Sequence, residues 1–298
     1  MNIVIADIRF QIRCADLPVW SDPYRKTYGP FITDTIPSGA GDGSIDIDIV
    51  LNSFPATRQL TKIFETTDAW SIFRDGDQYF WIDIPASGGG KPTYIARFQR
   101  RVEQATVYCG ESFVTELKGE KMLVNPVSYP LDQLLFMYAL AARGGACTHA
   151  AAVDFNGRGY LIPGRSGAGK STISRSFASK NHTVLSDDRV IVRKIRDSFM
   201  CFGTPWAGDA EMAENRGLPL HGIFFIIHGN ENRLEKIKPI EAFERLMPVT
   251  SIPWYDEKVM PDLLSFCEDL VLHVPAYVLY FTPDRRAADL IEGFVSDK

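Results

Sequence analysis

Hydrophobic positions in the first hundred residues recur with a period of two. Over residues 2–13, Ile3, Ile5, Ile8, Phe10 and Ile12 are set among polar neighbours, and over residues 44–51, Ile45, Ile47 and Ile49 alternate with Asp46 and Asp48. Such alternation turns one face of a strand to a core and the other to solvent. Shorter runs predict strands over 69–74, 79–84, 93–98 and 105–108, with turns at Asp75-Gly76-Asp77 and Ser87-Gly88-Gly89-Gly90. The expected product is a meander or sandwich of antiparallel strands. No catalytic motif falls in it.

Near residue 130 the period changes. Residues 130–143 place Leu131, Leu134, Leu135, Tyr138 and Ala142 on one helical face, with Pro130 suited to the first turn and Gly144-Gly145 as a stop. Strands are then predicted over 148–155 and 158–163, joined at Asn156-Gly157, a dipeptide suited to the tightest hairpin turn. A helix is predicted over 170–180 and further strands over 183–186, 190–194, 223–228 and 277–281. The chain thus divides into a β-rich N-terminal domain (1–125), a connecting helix (126–146) and an α/β P-loop domain (147–298).

Composition narrows the class. In 298 residues, 45% are hydrophobic and 23% charged, a globular balance that excludes disordered and coiled-coil chains. The apolar stretches fall short of the roughly 18 residues that cross a bilayer. The start of the chain lacks a basic region followed by an apolar one, so a cytoplasmic location and no membrane partner are expected. With 32 basic against 37 acidic residues there is no polycation for a nucleic-acid backbone, and no nucleic-acid partner is expected. Five cysteines without CxxC spacing read as buried thiols rather than a zinc site.

The chemistry concentrates in Gly164-Arg165-Ser166-Gly167-Ala168-Gly169-Lys170-Ser171, which fits GxxxxGK[ST] between a predicted strand and a predicted helix. Glycines let main-chain N–H groups turn toward phosphates, and a helix N-terminus adds about half a positive charge. Lys170 is expected to reach the terminal phosphates and Ser171 to ligand Mg²⁺, with Thr172 closing the nucleotide-binding set. ATP and Mg²⁺ are the expected cofactors. Next comes Ser186-Asp187-Asp188-Arg189 at the end of a predicted strand, where one carboxylate suits Mg²⁺ and another suits proton transfer from a hydroxyl. Taken by themselves, His149, among small apolar residues, reads as a packed core histidine, and Glu214, three after Glu211, as a solvent-facing helix carboxylate.

Taken in order, His149, the Asn156-Gly157 turn, the loop at residues 164–171, Asp187-Asp188-Arg189-Val190 and Glu214-Asn215-Arg216-Gly217-Leu218 resemble the successive signatures of HPr kinase/phosphorylase. The resemblance covers residues 147–230. The first half is similar instead to HPr-kinase-related proteins of bacterial gene clusters. By resemblance, Lys170, Asp188 and His149 are the catalytic set, Asp188 being the general base, and Ser171, Asp187 and Glu214 are the magnesium set. It also implies a homo-oligomer. Two features depart from the family: Thr172 stands where an acid is usual, and residues 246–254 contain no arginine. Both set phosphorolysis, and HPr as acceptor, apart from the expectation. The function expected is a kinase passing the γ-phosphoryl group of ATP to a serine-type hydroxyl of a small protein or peptide. A non-catalytic nucleotide switch and a small-molecule kinase remain as alternatives.

Overall fold

The computed structural model describes residues 1–21, 26–33, 43–56, 60–66, 70–76, 79–84, 93–282 and 286–296. Two compact units result: Met1–Ala139 with Pro253–Val259, and Leu140–Ile252 with Met260–Lys298. The turn expected at 87–90 lies outside the described residues, as do Ala69 and Asp77.

In the first unit, strands β1 (Asn2–Ile5), β2 (Ile8–Cys14), β3 (Val19–Trp20), β4 (Ser44–Leu51), β5 (Thr61–Glu65), β6 (Ser71–Asp75), β7 (Tyr79–Ile84), β8 (Tyr94–Gln99), β9 (Gln104–Cys109), β10 (Val114–Leu117) and β11 (Glu120–Val124) form two sheets. The larger runs β1-β2-β4-β9-β8-β7-β6-β5 and the smaller β10-β11-β3. Residues 2–13, read as one alternating run, form two strands. The step from Ile5 to Ile8 breaks the period of two, and Ala6 and Asp7 take positive φ in the turn between them. The expectation of antiparallel pairing is also corrected: β2 pairs with β4, and β4 with β9, in parallel. Parallel register still matches like with like. Phe10 lies beside Ile45 and Ile12 beside Ile47, all buried, while Arg13 meets Asp48 on the opposite face at 3.3 Å.

Helix α1 (Leu131–Ala141) was expected to bury one face. Leu131, Leu135 and Tyr138 of that face are buried, and so are Phe136, Met137 and Leu140 on the other, so the helix is buried on both faces. The Pro253–Val259 segment lies deep in the sequence of the second unit yet packs in the first, where Tyr255 stacks on Phe64 and Asp256 pairs with Arg100.

The second unit contains β12 (Gly145–Phe155), β13 (Arg158–Pro163), α2 (Lys170–Ser179), β14 (Val184–Ser186), β15 (Arg189–Ile195), β16 (Ser198–Phe202), β17 (Gly217–His228), β18 (Arg233–Lys236), α3 (Pro239–Leu246), α4 (Met260–His273), β19 (Ala276–Phe281) and α5 (Arg286–Ser296). Asn156 and Gly157 both take positive φ in the expected β12–β13 turn. Two long strands organise the sheet. β12 pairs through 145–149 with β15 and through 150–155 with β13, while β17 pairs with β16 near its start and with β13 and β19 further on. β13, β17 and β19 are parallel, and Ile173 and Phe177 of α2 with Ala287, Ala288 and Ile291 of α5 join their apolar cluster. Among the described residues, no helix is long and apolar enough to cross a membrane.

Candidate active site

β13 and β14 both run antiparallel to β12 and lie on either side of it. Their carboxyl ends therefore open on one sheet edge, the position where open α/β sheets bind ligands. The loop at residues 164–169 leaves β13 there, and Asp187-Asp188 leaves β14. β12 stands between these two strands. That intervening strand brings in His149, whose carbonyl accepts from the N–H of Gly164 while the N–H of Ala150 donates to the carbonyl of Asp188.

The loop is a tight cage at the start of α2. Gly167 and Gly169 take φ of 79° and 104°, backbone that L side chains rarely adopt. A Cβ on Gly169 would lie 2.3 Å from Cζ of Phe281, so the loop rests directly on the last ring of β19. Lys170 is buried, and its Nζ donates to the carbonyls of Gly164 at 2.9 Å and Arg165 at 3.2 Å. An ammonium carries three donors, so one is left for a ligand above the loop. Burial pulls this ammonium below the usual lysine range; Asp188 and Asp187 oppose that shift and Arg189 adds to it. Ser171 is half-buried in the first turn of α2, while Arg165, Ser166 and Thr172 are exposed and Ala168 folds back, its N–H donating to the Arg165 carbonyl.

Across the edge, Nε2 of His149 lies 2.7 Å from Oδ1 of Asp188, and Nε of Arg189 lies 3.4 Å from Oδ2. His149 and Arg189 are register partners on β12 and β15, so neighbouring strands hold both carboxylate oxygens. Burial works against charge on Asp188. The hydrogen bond from His149 and the charges of His149, Arg189 and Lys170 outweigh it, leaving the carboxyl below the usual aspartate range. The site thus keeps an anion beside the lysine.

Asp187 turns elsewhere. It is 1% exposed; Oδ1 accepts from the N–H groups of Gly208 and Met212, and Oδ2 from that of Ala210. Glu214 is exposed and lies in the loop before β17 rather than in a helix, with its N–H donating to the Leu185 carbonyl. Among the described residues no three His, Cys, Asp or Glu side chains cluster as a metal cage. Of the three residues expected to ligand magnesium, Ser171 and Glu214 are the accessible ones, and a magnesium ion needs few protein ligands beside phosphate and water.

Sequence reasoning gave His228 no role, yet its Nε2 lies 3.2 Å from the Gly167 carbonyl at the carboxyl end of β17. It also missed the amides of the 208–212 loop, because main-chain donors leave no mark in a sequence. Trp206 is packing, being buried, and Tyr255 stacks in the other unit.

Residues 140–298, slightly more than half of the chain, match the model of the HPr Serine kinase C-terminal domain. The chain belongs to that family. Similar relatives of this HPr-kinase-family chain include HPr kinase/phosphorylase 1 of Oceanobacillus iheyensis, 28% identical over 48% of this chain and 45% of the relative. The HPr kinase/phosphorylase of Halalkalibacterium halodurans is 25% identical over the same shares, and that of Malacoplasma penetrans is 24% identical over 50% and 48%. The chain thus aligns with about half the length of these relatives. The solved HPr(Ser) kinase/phosphatase of Coxiella burnetii covers 51% of this chain and 94% of its own at 15% identity and a TM-score of 0.30, so the family assignment stands on the sequence matches.

Proposed function

We propose that this chain is an ATP- and Mg²⁺-dependent kinase that transfers the γ-phosphoryl group to a serine-type hydroxyl of a small protein or peptide. One observation carries the reading: the lysine-bearing glycine loop and the His149–Asp188 pair share the sheet edge on which β13 and β14 end. Lys170, held by two loop carbonyls, aims its remaining donor at the triphosphate. Asp188, kept ionised, accepts the proton of the acceptor hydroxyl as its oxygen attacks the γ-phosphorus and the bond to the bridging oxygen of ADP breaks. His149 and Arg189 fix the direction from which that carboxylate acts. Ser171 and Glu214 would hold the ion, which when bound neutralises charge on the phosphates. The relatives carry HPr in their names; Thr172 and the arginine-free segment 246–254 leave the acceptor here at the level of a small protein or peptide.

The test is transfer of label from γ-labelled ATP to polypeptides of the host lysate. Asp188→Asn should lower transfer by roughly 10²- to 10⁴-fold while leaving ATP affinity within a few-fold. Lys170→Ala should weaken ATP binding itself. Label passed at the wild-type rate by Asp188→Asn removes the base assignment. ATP binding without any transfer supports a nucleotide switch, and label on a metabolite supports a small-molecule kinase.

A further inference from the structure

The buried carboxylate of Asp187 has a role that the magnesium assignment does not use. The chain from Gly203 to Glu214 leaves β16 and crosses the end of β14 before entering β17. Asp187 fastens it, taking three main-chain N–H groups at 2.9, 2.8 and 3.3 Å. A buried carboxylate left without such donors would be costly, so the loop and the carboxylate stabilise each other. Other ties run the same way. A Cβ on Gly203 would lie 2.1 Å from the Glu214 carbonyl oxygen and 2.4 Å from that of Leu185; Ala213 bridges Ser186; and the Arg175 guanidinium of α2 donates to the Asp209 carbonyl. At Gly208 a Cβ would stand 3.0 Å from Oδ2 of Asp187, so the loop approaches the carboxylate tightly there.

We infer that Asp187 is a positioning residue, an internal anion that folds residues 208–212 over the end of β14 and so sets Glu214 at the edge of the site. Oδ1 receives two donors and Oδ2 one, so about three of the carboxylate's four acceptor sites are taken by the loop. The inference rests on the proposed kinase reading only for the purpose of the placement. The fastening of the loop stands without it.

Hydrogen exchange in nucleotide-free, metal-free protein tests the fastening, and ATP binding with and without Mg²⁺ tests its purpose. In Asp187→Asn the amides of Gly208, Ala210 and Met212 should exchange about tenfold faster or more, with α2 unchanged. The affinity gained on adding Mg²⁺ should shrink, while affinity for ATP alone holds within about twofold. Glu214→Gln should lose the same gain with those amides still protected. Should Asp187→Asn fail to fold, Gly208→Ala presses a methyl against Oδ2 of Asp187 while leaving the carboxylate chemically intact, and should release the same amides. Wild-type exchange in Asp187→Asn together with a lost Mg²⁺ gain would overturn the inference in favour of direct ligation. Released amides with the gain intact would overturn the link to Glu214. If no form binds ATP, the kinase reading falls while the exchange result still decides the fastening.

Discussion

Gly169 shows how narrowly one residue constrains the loop. Its φ of 104° admits few side chains, and the Phe281 ring occupies the space a Cβ would need. Gly169→Ala should therefore cost at least about 1–3 kcal/mol of backbone strain, read as a lower urea midpoint, and should displace Lys170 enough to weaken ATP binding. Adding Phe281→Leu should recover only part of the loss, because it removes the ring and leaves the φ. Full recovery would mean that sterics alone set the loop. At this scale the sequence was most informative where chemistry is contiguous: Gly164 to Ser171 could be read directly, as could Asp187-Asp188. The residues alone do not divide the two aspartates; the resemblance makes Asp188 the base and gives Asp187 to magnesium. Nothing in adjacent identical residues says that one faces His149 and the other faces three main-chain amides.

Elements are held in place by contacts that local pattern does not encode. α2 ends at Ser179, and just beyond it Lys180 pairs with both Asp289 and Glu292 of α5, while His182 lies 3.2 Å from Glu292. Hydrogen bonds to Asp289 and Glu292 raise the Lys180 ammonium, and hydrogen bonds from Lys180 and His182 lower the Glu292 carboxyl. The raised lysine contributes below its ordinary range and loses that contribution as pH climbs through its folded value. The lowered glutamate contributes above its ordinary range and loses that contribution as pH falls through its folded value. The pairing is therefore complete between the ordinary glutamate and lysine ranges. These groups are partly solvated, so Lys180→Met should cost at most about 1 kcal/mol at pH 7 in urea unfolding, and progressively less as pH falls below the ordinary glutamate range. Helices α3, α4 and α5 were not foreseen at all. The parallel β2–β4–β9 register was also missed, since alternation fixes which face is buried but not which neighbour a strand chooses.

For the whole molecule, order in the sequence and order in space part company at Pro253–Val259. This segment joins α3 and α4 of the second unit, and its side chains belong to the first. Asp256 is buried, its carboxylate lies 3.3 Å from Nε of Arg100, and it accepts from the N–H of Lys258. Removing one partner of a fully buried pair costs about 3–5 kcal/mol, and an exposed pair is worth at most about 1. Arg100 is half-buried, so Asp256→Ala falls between these limits, at about 2 kcal/mol. The informative point is where that loss appears. Calorimetry of the full chain should show the transition of the first unit moving down, although the substitution lies more than a hundred residues beyond β11. The second unit's transition, tracked by its upward shift on adding ATP, should stay within a degree or two. If the ATP-sensitive transition moves instead, the segment stabilises the unit that flanks it in sequence, and the division of the chain into these two units is wrong.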